Sequence, residues 1–301
     1  MNKKRKINPI LIILCAALAL AAATFAVVLM RGYRYNTLAN GAKFIGESKN
    51  GQPVSGTIRY QNGAEAELDF YNRTIKYQNG DVYVGDISGG CREGRGTMTF
   101  SATGDVYEGD FKNDAITGSG KYTYANGDVY SGSLLDSMKN GYGVFTYSNG
   151  NAYEGYYEND VRSGRGKYTW ASGAVYEGDF SDDLKNGYGI MVYDNGGRYE
   201  GYFKNDMRDG EKGIYIFPNG ERYNGTFRNN LMDTRMTDAD GSFITDERGQ
   251  WVHGEEAIYT FTTGRTYRGY FIEGKPVGVD LSHRKGDFLW HSLFFRLLPM
   301  R

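Results

Sequence analysis

Any chemistry in this chain has to come from few side chains. Asp238 and Asp240 precede Gly241, with Asp246 and Glu247 close behind. Clustered oxygen ligands around a glycine turn suit calcium, but this motif is short and incomplete and reads more simply as a solvated turn. His253, His283 and His291 are isolated, without the spacing of metal ligands. The two cysteines, Cys15 in an apolar run and Cys91 far downstream, do not suggest a bridge. Nucleophile elbows, phosphate loops and dinucleotide fingerprints are absent. Most carboxylates follow a regular spacing, as surface groups do, and do not form an acid/base pair. The residues therefore predict a non-enzymatic protein with no cofactor and no resident metal. An enzyme reading would have only the acidic stretch within 230–254 to draw on.

What the chain does contain is a repeat. Tyr-x-Gly begins at Tyr83, Tyr107, Tyr130, Tyr153, Tyr176, Tyr199, Tyr223 and Tyr267, at spacings of 24, 23, 23, 23, 23, 24 and 44 residues. A fixed period in this range means an array of similar units. In the copy from Tyr107, the residues Tyr107, Gly109 and Phe111 share one face of a first arm, and Gly118, Gly120, Tyr122 and Tyr124 share one face of a second. Glu108, Asp110, Ser119, Lys121 and Thr123 point the other way. Alternation with period two predicts strands. Asn-Gly pairs such as Asn126-Gly127 and Asn149-Gly150 predict tight hairpin turns, because both residues tolerate positive φ. Gly-x-Gly opens most second arms, as at Gly118/Gly120 and Gly187/Gly189. Glycine weakens a strand unless something needs the space, so aromatic rings are expected to lie over it.

The pattern Tyr-x-Gly-x-Phe/Tyr, a short turn, Gly-x-Gly-x-Tyr/Phe, then Asn-Gly resembles the MORN repeat family. The match is strongest over 107–198 and fades on both sides. Gly210 and Gly213 depart from it, being two residues apart, which predicts a bulge. The resemblance implies an elongated, twisted, single-layer antiparallel sheet, and eight or nine repeats would advance about 80–90 Å. The expected fold is thus all-β, a meander of repeated hairpins. Residues 42–82 read as degenerate capping strands, 83–229 as regular repeats, 230–254 as an insertion or eroded repeat, and 255–278 as a last repeat.

The ends differ from the array. Lys3, Lys4, Arg5 and Lys6 precede an apolar run over 9–30, in which only Thr24 is polar. That length predicts one membrane-spanning helix, and the basic residues place its N-terminus in the cytoplasm and the repeats outside. A cleaved signal peptide is the competing reading, although its apolar stretch would be shorter. Residues 31–41 read as a linker. At the other end, 279–301 holds Phe288, Trp290, Phe294 and Phe295 in a segment too short to span a bilayer. It reads either as a cap on the last hairpin or as a segment that binds a partner or a membrane interface.

Of 35 Lys and Arg, six lie in residues 1–34, where there is no acid; the remainder carries 29 bases against 36 acids, a balance of −7. That sign excludes nucleic acid and argues against broad attraction to anionic lipid. The resulting expectation is a membrane-anchored scaffold whose exported arm binds a protein partner. Candidate contacts are Trp251, Phe288, Trp290, Phe294 and Phe295. Tyr142 and Tyr188 join them because each lies between the glycines of a Gly-x-Gly pair and so faces away from the core. Those two tyrosines also suit an alternative, an envelope glycan binder; a lipid-associated protein follows if the repeats are cytoplasmic. Open sheet edges offer a route to a homodimer.

Overall fold

The computed structural model describes residues 33–277, together with helical residues 17, 18 and 20–22. The rest of the apolar run 9–30 and the segment 279–301, with Phe288, Trp290, Phe294 and Phe295, lie outside the described residues. Among the described residues no helix is long and apolar enough to cross a membrane. The chain divides into two compact units, residues 1–138 and 139–301.

In the first unit, ten strands form an antiparallel meander in which each pairs with the next. They are β1 (Tyr33–Thr37), β2 (Lys43–Lys49), β3 (Gln52–Arg59), β4 (Glu65–Asp69), β5 (Thr74–Tyr77), β6 (Val82–Ser88), β7 (Cys91–Thr99), β8 (Val106–Lys112), β9 (Ala115–Thr123) and β10 (Val129–Leu135). The stretch 31–41 is therefore more than a linker: β1 pairs along its whole length with β2. The second unit continues with β11 (Met138–Thr146), β12 (Ala152–Glu158), β13 (Val161–Thr169), β14 (Val175–Ser181), β15 (Leu184–Val192) and β16 (Arg198–Lys204), again paired in order. A register shift falls between Gly210 and Gly213, where the glycine spacing predicts it. The return arm there is split into β17 (Met207–Arg208) and β18 (Gly210–Ile216), both on β16. β19 (Arg222–Arg228) pairs with β18, β20 (Leu231–Met232) and β21 (Ala257–Thr260), and β22 (Thr266–Gly269) with β21. β23 (Phe271–Ile272) and β24 (Lys275–Pro276) form a separate hairpin.

A single-layer sheet has no second layer to bury against, so each repeat builds its own core. Tyr83, Tyr107, Tyr130, Tyr153, Tyr176, Tyr199 and Tyr223 are all 0% exposed. The rings of Tyr83, Tyr107, Tyr153, Tyr176 and Tyr199 lie on paired glycines, as the sequence predicts, while beneath Tyr223 it is Ala257 that neighbours Gly225. At Tyr176 the floor is Gly178 and Gly189, which face each other in register. A Cβ on either would stand 2.5 Å from the Tyr176 hydroxyl oxygen. That hydroxyl donates to the Asp179 carbonyl at 2.9 Å, so the ring is buried without an orphaned donor. Burial pushes the equivalent Tyr153 hydroxyl up to about 12, which keeps it protonated as a donor. Phenylalanines tie neighbouring repeats together. Phe180 meets Tyr153 at 5.1 Å and Tyr176 at 5.2 Å, both edge to face. Phe111 does the same for Tyr83 and Tyr107.

Two sequence expectations need correction. The Asn-Gly pairs are not two-residue hairpins. In the first unit Gly127 donates to the Tyr124 carbonyl and Tyr124 to that of Asp128, closing a three-residue loop. Gly127 alone has positive φ, +90°, while Asn126 accepts the Asp128 N–H with its side chain. The true two-residue turns lie at the opposite hairpin ends, at Asn113-Asp114, Asn159-Asp160, Asp182-Asp183 and Asn205-Asp206, where both residues have positive φ. That is the type I′ geometry, which short polar Asn and Asp side chains tolerate. Second, Gly118 does not share a face with Gly120. A bulge after Gly109 leaves Gly118 at φ +69°, and a Cβ there would meet the Asp110 carboxyl group.

The second residue of each two-residue turn also locks one repeat to the one before. Asp183 accepts the Arg162 backbone N–H at 3.0 Å and its Nε at 2.9 Å, while the Asp183 carbonyl accepts from the same guanidinium at 2.6 Å. That guanidinium lies 5.3–5.5 Å from the ring centres of Tyr153, Tyr168 and Phe180. Lys139 with Asp160, Lys185 with Asp206 and Arg92 with Asp114 repeat the device. At Ile116 and Ser137 the backbone bond remains, at 3.0 Å, without the charges.

Candidate interaction surface

The face opposite the tyrosine core carries the side chains that the core does not use, although Asp86, Asp110 and Asp179 there accept the backbone N–H groups of Arg95, Ser119 and Tyr188. In the second unit, Tyr142 and Tyr188 point there, as the alternation predicts. Each has a neighbour that the Gly-x-Gly signal does not mark. Tyr142 is in register with Tyr156 and Tyr188 with Tyr202. The four are 48%, 53%, 42% and 53% exposed. Both pairs meet edge to face at 5.5 Å between ring centres. The signal for Tyr156 and Tyr202 was present in the sequence: each follows the glycine of Tyr-x-Gly, where other repeats carry Asp86, Asp110 or Asp179. With Tyr153, Gly155 and Tyr157 facing inward, Tyr156 has to face outward.

Each pair stands on a carboxylate. Tyr142 donates to Glu154 at 2.5 Å and Tyr188 to Glu200 at 2.8 Å. Those hydrogen bonds hold both tyrosine hydroxyls above their ordinary pKa and help to hold Glu200 below its own, with Arg198 adding a second bond at 2.6 Å. Tyr142 and Tyr188 lie four strand spacings apart, on β11 and β15, so the pairs stand about 19 Å apart. Between them lie Arg165 and Asp179, in register, and beside these Lys167 and Glu177. In the first unit the same face is an open trough of about 540 Å³, floored by Gly85, Gly96, Gly109 and Gly120 and walled by Arg73 and Arg95.

Trp251 belongs to a different cluster. Residues 234–254 are a small repeat of period eight: Arg235-Met236-Thr237-Asp238, Phe243-Ile244-Thr245-Asp246, then Trp251-Val252-His253-Gly254. The three units close a ring, with Met236 donating to the Val252 carbonyl, Val252 to that of Ile244, and Ile244 to that of Met236. Trp251 is half exposed and meets Phe243 edge to face at 5.9 Å. Its other neighbour is Arg235, whose guanidinium lies 3.6 Å from the Phe243 ring centre and 5.1 Å from that of Trp251. Arg235 and Asp233 form a buried ion pair at 2.6 Å. Trp251 thus has a packing role in holding this arginine. Asp238 is occupied as well: its carboxylate accepts the N–H groups of Asp240 and Ser242, which fixes the turn. Among the described residues no cluster of three His, Cys, Asp or Glu could hold a metal. His253 contacts Thr234 Oγ1 at 2.8 Å and stacks on Tyr270, and burial lowers its pKa.

The structure therefore brings Tyr142 and Tyr188 onto one face with Tyr156 and Tyr202, and leaves Trp251 in a separate cluster. Solved structures with a similar trace include the TCP domain of SAS-4 (dCPAP) of Drosophila melanogaster in complex with a proline-rich motif of Ana2. It is 18% identical, covering 57% of this chain and 90% of that one, with a TM-score of 0.31. The TCP10 domain of CPAP from Danio rerio, in complex with a STIL peptide, is 14% identical over 71% of this chain and 98% of that one, with a TM-score of 0.33. Likeness at this level carries no argument about what this chain binds. No curated protein matches in sequence. The family model for the MORN repeat matches residues 83–102, 107–129, 130–152, 153–175, 176–198 and 199–222. Residues 83–222 are thus six consecutive MORN repeats, and this part of the chain belongs to that family.

Proposed function

We propose that the protein is a non-enzymatic, membrane-tethered scaffold that binds a protein partner through the exposed tyrosine face of its second unit. The observation that carries this reading is the pair of matched Tyr–Tyr–Glu clusters on the face opposite the tyrosine core. Tyrosine supplies large contact area at low entropic cost and is enriched among residues that dominate binding energy. Exposed aromatics gathered on one face mark interaction sites more often than scattered ones do. The tether rests on the apolar run 9–30 and the basic residues before it, a charge pattern that favours repeats outside the cytoplasm. Protease added to intact cells should then digest a tag placed after Arg301; protection would return the repeats to the cytoplasm and favour a lipid-associated role.

One feature of the same clusters favours a second reading. A tyrosine ring beside a carboxylate also suits the stacking and hydroxyl bonding of a sugar. Full-length protein solubilised in detergent, with Tyr142, Tyr156, Tyr188 and Tyr202 all replaced by Ser, separates the two. The scaffold reading expects loss of a protein partner from affinity capture, with circular dichroism unchanged because all four rings lie outside the core. Loss of binding to purified envelope glycan, with protein capture intact, would support the sugar reading.

A further inference from the structure

We infer that the partner of the tyrosine face is a second copy of this chain, docked face to face. The inference rests on the proposed function of this face as a protein-binding surface and names its occupant. The tyrosine row and the central charges of the face are complementary to themselves.

Three rows of side chains cross the outer face from β11 to β16. The first reads Tyr142, Tyr156, Arg165, Asp179, Tyr188, Tyr202. The second reads Val144, Glu154, Lys167, Glu177, Ile190, Glu200. The third reads Thr146, Ala152, Thr169, Val175, Val192, Arg198. Consider a two-fold axis parallel to the strands, between β13 and β14. It keeps every row and reverses its order, which is the relation two identical patches have in an isologous dimer. The first row then sets Tyr142 over Tyr202, Tyr156 over Tyr188, and Arg165 over Asp179 of the other copy. The second sets Lys167 over Glu177 at the centre, with Glu154 over Ile190 and Glu200 over Val144 towards the rim, and the third sets Ala152 over Val192. Nowhere does a charge meet a like charge.

Three of the four central charges also lack partners, while the fourth, Asp179, accepts the Tyr188 N–H at 3.1 Å. Arg165, Lys167 and Glu177 make no hydrogen bond or ion pair within the chain among the described residues, although Arg165 and Asp179 are in register. In the first unit the corresponding Arg95 and Asp110 do pair, at 3.4 Å. Six strands by three rows cover roughly 550 Å² per copy, or about 1,100 Å² in all, near the lower limit for a specific interface. Two twisted sheets pack aligned at about −30°, which keeps the central charge pairs together while the outer rows diverge. The expected dimer is therefore weak and concentration-dependent.

The test uses the full-length chain in detergent micelles and measures mass by sedimentation from about 1 to about 100 µM, a range suited to a small interface. Wild type should pass from monomer to dimer. R165D sets a second carboxylate against Asp179 of the other copy, and D179R sets two guanidinium groups together; each alone should weaken association by at least about tenfold. Mixing R165D with D179R should restore it, because both central contacts become opposite-charge pairs in the mixed dimer. No edge-to-edge pairing and no association through the N-terminal segment predicts that rescue. Wild type that stays monomeric at the highest concentration, dimers indifferent to either substitution, or a mixture no tighter than the single variants would each overturn the inference. A monomeric chain that still captures a different protein through Tyr156 and Tyr202 would overturn only the second-copy partner; one that captures no protein would also sink the scaffold reading.

Discussion

Gly189→Ala is expected to destabilise the second unit by about 2–3 kcal/mol, the usual cost of forcing a methyl group into a filled core. In most strands this change is neutral or mildly favourable, because alanine has less backbone entropy to lose. Here the new Cβ would stand 2.5 Å from two atoms of the Tyr176 side chain. The ring cannot lift away without giving up its hydrogen bond to Asp179 and its edge contacts with Phe180 and Phe203. Gly173→Ala is the control. Gly173 has φ +93° but no atom within 4 Å, so its cost is the left-handed backbone alone, about 1 kcal/mol. Urea unfolding followed by tryptophan fluorescence, together with hydrogen exchange at residues 176–189, measures both. A loss for Gly189→Ala no larger than that for Gly173→Ala would show that ring packing does not make Gly189 obligatory.

Asp183→Ala should cost about as much for a different reason. Asp183 has φ +65°, and its carboxylate holds the Arg162 N–H and guanidinium of the preceding repeat. Alanine loses both functions, about 2–3 kcal/mol from left-handed strain plus an unsatisfied amide. Asp183→Gly keeps the backbone and should recover about 1 kcal/mol of that. Asp183→Asn keeps the acceptor and should be mildest. If Gly and Ala cost the same, the turn conformation contributes nothing and the inter-repeat bond carries all the loss. Asp206 occupies the same position one repeat later. Burial raises its pKa, but hydrogen bonds from the Lys185 ammonium and backbone outweigh that, and the net shift is downward. A folded-state pKa below the unfolded one gives stability that is present above about pH 4 and lost as pH falls through the folded value. Asp206→Asn should therefore lower stability at neutral pH, flatten the acid limb of the stability curve, and leave stability below the folded pKa nearly unchanged.

The repeat core was legible because one residue type can do its job. A tyrosine lying flat on a sheet needs glycine beneath it, and only a fixed period places Gly178 opposite Gly189 each time. The Arg162–Asp183 lock was not legible, because its partners are 21 residues apart and each looks like an ordinary surface charge. The turn assignment failed for a related reason. Asn-Gly is the stronger hairpin signal, but in Asn126-Gly127 only the glycine takes positive φ, while Asn159-Asp160 takes it at both residues. Tyr156 and Tyr202 follow the alternation, but the aspartates at the same place in other repeats make that position look like ordinary surface. In the insertion, Met236, Ile244 and Val252 stand eight residues apart, a period shorter than the array's, and each unit is too brief to show as a strand.

The role of the outer face is tested most directly by placing a photoreactive phenylalanine at position 202 of the chain expressed in its native cells and irradiating. A protein adduct of discrete mass is expected from position 202, and none from the same group at Ser172, which lies in an exposed turn away from the face. No protein adduct at 202, or the same adducts from both positions, would contradict a protein-binding tyrosine face.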